Sequence, residues 1–225
     1  MKLVTVGCSF TAGVGVEWEK NYTSILSKLL NFEYDNWGAA GHSNQYIFRK
    51  TIKLLENFNE NDILIIQWTN PNRDELITNE GYLFYPPYSD WCSLEFLYGR
   101  NPQIGLEKIG IFNKDEFEKN IVQKKKNLVD NYSTNFYNKE YQEEISFCFQ
   151  YALYGLLKAK KIKFIMFFGW EFETKKEIIS LTDKNFLEEK FGVFTNTPGS
   201  EHPNEEGHKI WAEFLYQKIK EFNYI

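Results

Sequence analysis

The start of this chain constrains its fold most, because a short apolar run leads directly into a serine placed between glycines. Residues 3–6 form the run, Gly7, Cys8 and Ser9 follow it, and Gly13 comes shortly afterwards. An apolar run bounded by turn residues predicts a buried strand. A serine on the tight turn after such a strand is a typical position for a nucleophile.

A histidine near the other end of the chain is the natural partner for this serine. His202 and Pro203 come directly before a helical pattern that Asn204 can cap, and histidine is the most frequent general base in enzymes. His208 lies within the helical pattern and is interpreted as structural. Joint use of Ser9 and His202 requires a fold that brings both ends of the chain to one edge of a sheet.

The rest of the chain alternates between strand and helix patterns, which predicts an α/β fold with helices on both faces of a mostly parallel sheet of about five strands. The predicted strands cover residues 3–6, 32–34, 63–68, 162–168 and 191–194, and the predicted helices cover 22–30, 44–58, 139–160 and 205–222. In the third helix the apolar spacing predicts a buried stripe formed by Ile145, Cys148, Phe149, Ala152, Leu153, Leu156 and Leu157.

The length of 225 residues and a hydrophobic content of 43% are enough for one well-packed core, so a single domain over residues 1–225 is expected. Residues 74–138 interrupt the alternation and are rich in aromatic side chains. Such an interruption is typical of a lid over a binding site, of extra packing or of an oligomer contact. Both an insertion over the site and simple packing stay open at this point.

Composition argues against several classes of protein. A net charge of −5 provides no basic face for nucleic acid. The three cysteines lack metal or redox spacing, and the three histidines have no carboxylates at ligand spacing, so neither a metal nor a disulfide framework is expected. Gly13 and Gly15 fit neither a phosphate loop nor a dinucleotide motif, and no cofactor is expected. Without a signal peptide or an apolar stretch of ~20 residues, a cytoplasmic location is expected.

Two further blocks follow predicted strands. Residues 36–44 contain Gly41, whose unobstructed backbone N–H could serve an oxyanion hole. Residues 67–73 contain Asn70, whose side-chain amide could be a second donor to an oxyanion. Because ligands in open α/β sheets bind outside the carboxyl ends of the strands, these blocks and Ser9 are expected at the same edge.

The Ser9 turn, residues 36–44, residues 67–73 and the segment that begins at His202 form four blocks. In this order along the chain they resemble the SGNH/GDSL hydrolase superfamily, and the resemblance spans nearly the whole chain apart from the insertion. It implies a three-layer, flavodoxin-like α/β/α fold and the activity of a serine esterase or lipase. It also implies that Ser9 is the nucleophile, that His202 is the base, and that Gly41 and Asn70 complete the oxyanion hole with the Ser9 N–H. The implied substrates are small acyl esters, such as acetyl groups on carbohydrates.

The chain departs from the family pattern beside the nucleophile and at the third block. Cys8 stands where the family has Asp, and strand alternation predicts that it is a small buried residue. Trp68 stands where the family has glycine and is expected to narrow the site.

The third departure concerns the acid that orients the base. The family places it three positions before the histidine, where this chain has Gly199. Glu201, adjacent to His202, is one candidate for this acid, and Asp183 and Glu171 are others. The loss of this acid lowers turnover about 10⁴-fold in serine proteases. The alternative to a triad is therefore a Ser-His dyad, in which Ser9 and His202 work without an orienting acid.

Four residues are predicted to contact substrate: Trp68, Arg73, Asn44 and His42. Arg73 offers a bidentate fork for a carboxylate or phosphate, although an ion pair with a neighbouring acid is the alternative. For His42 the alternative is a plain loop position.

The sequence therefore predicts a serine ester hydrolase acting on a glycan or small-molecule ester. A catalytically degenerate binding protein with the same fold, and an O-acyltransferase using the same residues, are the alternatives. Oligomerisation through the insertion is a further expectation.

Overall fold

The computed structural model describes residues 1–71, 73–78, 81–85, 138–169, 184–189, 191 and 202–225. The strands are β1 (Lys2–Gly7), β2 (Glu33–Gly38), β3 (Ile63–Trp68), β4 (Asp74–Thr78), β5 (Gly81–Tyr85) and β6 (Lys163–Phe168). The helices are α1 (Ser9–Ala12), α2 (Tyr22–Leu30), α3 (Asn44–Leu54), α4 (Lys139–Ala159) and α5 (Glu205–Glu221). Short 3₁₀ turns cover Trp18–Lys20 and Leu55–Asn57.

The main sheet is parallel and has the strand order β2-β1-β3-β6. Its register pairs Gly7 with Gly38 and Trp68 with Phe168, so the strands end level with one another. The predicted α/β class is confirmed, with four strands in this sheet among the described residues rather than about five. Beyond β6 an isolated parallel bridge joins Met166 to Phe186. Phe191 is buried outside any strand, and the other residues of the predicted strand 191–194 lie outside the described residues.

Helices cover both faces of the sheet, since alternate residues along each buried strand point to opposite sides. On one face β1, β3 and β6 pack against α2 and α5 through Leu3, Ile65, Phe167, Leu26, Trp211 and Leu215. On the other face they pack against α3 and α4 through Val6, Ile66, Met166, Ile47, Leu153 and Leu157. The result is a three-layer α/β/α arrangement.

The longer helices begin at side chains that bind an otherwise unpaired backbone N–H group. The caps are Asn21 for α2, Ser43 for α3, Asn138 for α4 and Asn204 for α5. The Asn204 cap that the sequence predicts is confirmed, with its side chain accepting a bond from Gly207 N at 2.9 Å. This cap fixes the start of α5 and hence the chain direction just after His202.

The buried face of α4 differs from the predicted stripe. Cys148 and Ala152 are exposed, and the buried residues of the helix are Gln142, Ser146, Gln150, Leu153, Tyr154 and Leu157. The first half of the helix turns polar side chains inward because Ser146 Oγ accepts a bond of 2.5 Å from Asn44 Nδ2 and one of 3.3 Å from Gln150 Nε2. Hydrogen bonding therefore overrides the apolar periodicity here.

The antiparallel hairpin β4–β5 begins the segment that the sequence marks as an insertion. No strand is predicted there, because residues 74–85 follow no clear alternation in the sequence. Most of the remaining insertion lies outside the described residues. Within the described ranges, no helix has both the length and the apolar character needed to cross a membrane.

Candidate active site

The loops that follow β1, β2 and β3 bring three of the predicted site residues to one edge of the sheet. Ser9 follows β1, Gly41 follows β2 and Asn70 follows β3, and these strands are neighbours. A bond of 3.0 Å from Ala39 N to Gly7 O ties the first two loops together. The carboxyl end of the sheet is thus the candidate active site.

Ser9 is the first residue of the short helix α1 and is 3% exposed. The helix ends at Gly13, whose φ of 74° lies in the left-handed region that favours glycine. The Ser9 hydroxyl lies 3.8 Å from Cys8 Sγ and donates to it. The hydroxyl is therefore held against the residue that precedes it.

The loop after β2 approaches this turn closely. A Cβ atom at Gly38 would lie 2.5 Å from the backbone carbon of Thr11, so only glycine fits against α1. Gly41 is buried and has a φ of 75°. This backbone conformation favours glycine, and because glycine has no side chain, Gly41 cannot cover its own backbone N–H.

Asn44 fixes the end of β3 by binding both backbone groups of Thr69. Its Nδ2 donates to Thr69 O at 3.1 Å, and its Oδ1 accepts from Thr69 N at 2.9 Å. Asn70 is next in the chain, and Arg73 N donates to Asn70 O at 3.1 Å, which closes a turn. Asn44 is buried and uses its amide for this support, which is a different role from the substrate contact predicted for it.

His202 precedes α5 and is half-buried. Its ring packs edge-on against Phe10, with ring centroids 5.3 Å apart, and Phe10 follows Ser9 directly. The fold thus brings both ends of the chain to the same edge of the sheet, as the sequence analysis requires of a Ser9–His202 pair.

His208 lies within α5 and is fully buried. Its Nδ1 accepts a bond of 3.2 Å from Tyr22 N, and its ring stacks on the ring of Tyr22 at 6.1 Å. Burial, with a smaller contribution from the charge of His202, lowers the pKa of His208 to about 4. These contacts agree with the structural role expected for this residue.

His42 stacks on Tyr46 with ring centroids 3.9 Å apart. Burial, followed by the charges of Arg49 and Arg73, lowers the pKa of His42 to about 3. The imidazole is consequently neutral near pH 7 and cannot attract an anionic substrate. The same Arg73 charge also reaches Cys8, so this guanidinium provides positive potential at the candidate site.

Trp68 is fully buried in the core between the sheet and the α3–α4 layer. Its indole packs with residues such as Ile47 and Leu153. This position gives no support to the prediction that Trp68 narrows the site, because β3 alternation turns the side chain into the core.

Cys8 is fully buried, as predicted. Burial acts to raise the pKa of its thiol, but the charge of Arg73 and hydrogen bonds to the sulfur outweigh it, and the pKa lies below its ordinary value. Gln67 was not among the predicted site residues, yet its amide contacts both Cys8 and Thr11. A polar residue inside an otherwise apolar strand was the available signal.

The candidates for the orienting acid, Glu201, Asp183 and Glu171, lie outside the described residues, as does Gly199. Their relation to the His202 ring stays a prediction.

No family model and no curated protein matches this chain, whereas solved structures do. The psychrotrophic esterase EstA from Pseudoalteromonas sp., in a structure inhibited by monoethylphosphonate, matches with a TM-score of 0.51 and 10% identity, over 98% of this chain and 97% of that chain. A lipolytic protein of the G-D-S-L family from Desulfitobacterium hafniense DCB-2 matches with a TM-score of 0.38 and 16% identity, over 96% and 98% of the two chains. A member of the lipolytic protein G-D-S-L family from Veillonella parvula DSM 2008 also matches with a TM-score of 0.38 and 16% identity, over 98% of this chain and 97% of that chain.

The EstA match shows that the two chains share a fold across almost their whole lengths. The α/β fold with helices on both faces of a parallel sheet, which the sequence predicts, is therefore confirmed.

Proposed function

We propose that this chain is a serine ester hydrolase that removes small acyl groups from a carbohydrate or another small-molecule ester. One observation carries the proposal. Ser9, Gly41 and Asn70 follow three adjacent parallel strands at one edge of the sheet, and His202 packs against the residue next to Ser9. The candidates for a nucleophile, a base and two oxyanion donors thus lie at one edge, which supports the proposal.

In the proposed reaction the Ser9 hydroxyl attacks the ester carbonyl carbon while His202 takes the hydroxyl proton. The negative charge on the former carbonyl oxygen is held by the N–H groups of Ser9 and Gly41 and by the Asn70 amide. The alcohol leaves with the proton from His202, and an acyl group stays on Ser9. Water, deprotonated by His202, then attacks the acyl carbon, and the bond from this carbon to Ser9 Oγ breaks as His202 returns the proton to Ser9, which releases the carboxylic acid.

A fluorophosphonate tests the proposal because it forms a stable adduct with an activated serine. The EstA structure, named as inhibited by monoethylphosphonate, makes a phosphonate a suitable probe. Intact-mass measurement should find one adduct on the wild type and none on Ser9→Ala. Since a general base contributes about 10²–10⁴ in rate, His202→Ala should label slower by that factor.

Ser27→Ala is the matched control, since Ser27 is equally buried but donates within α2 to Ser24 O at 2.8 Å. It should label like the wild type. A folded wild type without any adduct would overturn the esterase proposal and favour a binding protein of the same fold.

A further inference from the structure

The side chain of Gln67 crosses from β3 to the turn that carries Ser9. Gln67 is fully buried. Its Oε1 accepts bonds from Cys8 N at 3.3 Å, Thr11 N at 3.1 Å and Thr11 Oγ1 at 2.7 Å. Backbone N–H groups can only donate, so this atom must be the amide oxygen and the orientation of the amide is determined.

The orientation of the amide also determines what its nitrogen does. Gln67 Nε2 lies 2.9 Å from Cys8 Sγ and 3.3 Å from Trp68 O and donates to both. The Ser9 hydroxyl donates to the same sulfur at 3.8 Å. One amide therefore binds the backbone and the side chain of the residue before Ser9, and the sulfur links the amide to the Ser9 hydroxyl.

The amide lies close to two glycines at neighbouring strand ends. A Cβ atom at Gly7 would lie 2.8 Å from Gln67 Oε1, and one at Gly169 would clash with Gln67 Nε2. Glycine at the end of β1 and after β6 leaves room for the amide. The amide thus bonds the end of β3 to the Ser9 turn and lies against the residue that follows β6.

From this geometry we infer that Gln67 is a positioning residue that sets the conformation of the Ser9 turn and the direction of the Ser9 hydroxyl. The inference rests on the proposed function, in which Ser9 is the nucleophile. Rate depends steeply on where a nucleophile lies, and a displacement of about 1 Å can cost about 10²-fold. The loss of either side of the amide releases Cys8 and with it the Ser9 hydroxyl.

Two variants separate the oxygen and nitrogen sides of the amide. Gln67→Met keeps the length of the side chain and removes both functions. Gln67→Glu keeps the accepting oxygen, but its second oxygen then faces Cys8 Sγ and Trp68 O, so only the protonated acid reproduces the amide. In the part of the chain that the structure describes, the charged or titratable groups around this amide are Cys8 itself, Arg73, whose charge acts on Cys8, and Tyr22, which bonds to Thr11 Oγ1 at 2.9 Å.

The experiment measures the rate constant of fluorophosphonate labelling for the wild type and the two variants as a function of pH, where each is folded by circular dichroism. Gln67→Met should label about 10²-fold more slowly. The rate of Gln67→Glu relative to the wild type should be highest at low pH and fall as the carboxyl ionises. A purely structural role would move the unfolding midpoint without this pH dependence.

Asn185→Leu is the control, because Asn185 is a buried amide that donates to Phe164 O at 2.7 Å, near the start of β6 and far from Ser9. It should lose stability and keep the labelling rate. If Gln67→Met labels at the wild-type rate and the rate of Gln67→Glu relative to the wild type does not change with pH, the inference about Gln67 is overturned and the proposed function is not. If Gln67→Met does not fold, the pH profile of Gln67→Glu decides. An unlabelled wild type would instead overturn the proposed function.

Discussion

The two helical layers hold the candidate active site in different ways. On the α2–α5 side His202 contacts Phe10, and aromatic rings surround Phe10 in turn: Phe191 lies 5.6 Å from Phe10 and 5.3 Å from Trp211. On the α3–α4 side the support of Asn70 is polar, because Asn44 binds Thr69 and also donates to Ser146 on α4. The proposed base thus contacts an aromatic cluster, whereas hydrogen bonds from Asn44 hold the loop of the proposed oxyanion donor.

This difference matters because the two kinds of support fail differently. Removal of a packed ring leaves a cavity, whose cost depends on how far the surroundings collapse. Removal of one partner from a buried hydrogen-bond network leaves other polar groups unsatisfied. We therefore expect damage to the α2–α5 layer to reduce mainly stability, and damage to the Asn44 network to reduce stability and alter the loop that carries Asn70.

The largest effect is expected for Trp211→Ala. Trp211 is fully buried, stacked on Phe191 and edge-on to Phe167 at 4.8 Å. Truncation of such a ring costs about 3–5 kcal/mol of unfolding free energy, measurable by urea denaturation. Trp18→Ala is the control, because Trp18 is 40% exposed although it stacks on Tyr34. Equal losses in the two variants would contradict the packing side of the comparison.

The hydrogen-bonding side is tested by Asn44→Leu, which leaves both backbone groups of Thr69 unpaired. At 1–3 kcal/mol for each unsatisfied group, the loss should reach about 3 kcal/mol in urea denaturation. Thr51→Val on the same helix is the control, since Thr51 Oγ1 donates only to Ile47 O within α3. If Asn44→Leu were as mild as this control, the network would not support the Thr69 loop.

The aromatic layer should also be sensitive to acid through His208. Burial holds the folded pKa of His208 at about 4, against 6.5 for the free side chain, so the unfolded chain binds more protons between these values. Stability is therefore fully present above pH 6.5 and falls as the pH drops toward 4. His208 should account for about 2 kcal/mol of the stability lost between pH 7 and pH 4.5.

His208→Gln should remove this part of the pH dependence. Urea denaturation of variant and wild type at the two pH values measures it. His42→Gln is the comparison, because the pKa of His42 is also low, at about 3, but its ring lies on the other side of the site. An unchanged slope in His208→Gln would show that this imidazole does not titrate with unfolding.

The smallest effects are expected for two glycines with opposite surroundings, Gly155 and Gly38. A Cβ atom at Gly155, within α4, would meet no atom within 4 Å, so Gly155→Ala should stabilise the chain by about 1 kcal/mol through helix propensity. Gly38→Ala should instead destabilise it, because the Cβ would overlap the backbone of α1. Thermal unfolding of both variants checks the opposite signs.

Periodicity predicted the fold well where burial is uniform. The bounds predicted for β3 and α2 match the structure, because a continuous apolar run and an amphipathic pattern each allow one solution. The stripe of α4 was wrong in its first half, because periodicity gives no weight to a serine that is buried by a hydrogen bond from another helix.

The candidate site shows the same division. The motif blocks predicted that Ser9, Gly41 and Asn70 follow strands, and the parallel order β2-β1-β3 brings them to one edge. The role of Gln67 could not be predicted, because it depends on a side chain from one strand reaching the turn after another. The burial of Trp68 depends likewise on which way β3 faces.

The sequence by itself determined the order of the main-sheet strands and the helices, the Asn204 cap and the residues that begin the site loops, since these depend on local backbone preferences and on apolar spacing. Only the tertiary structure decided which side chains support the site. Long-range hydrogen bonds and ring contacts, such as those of Gln67, Asn44 and His208, join residues far apart in the chain. Their energies depend on a geometry that exists only after the sheet and its helices have packed together.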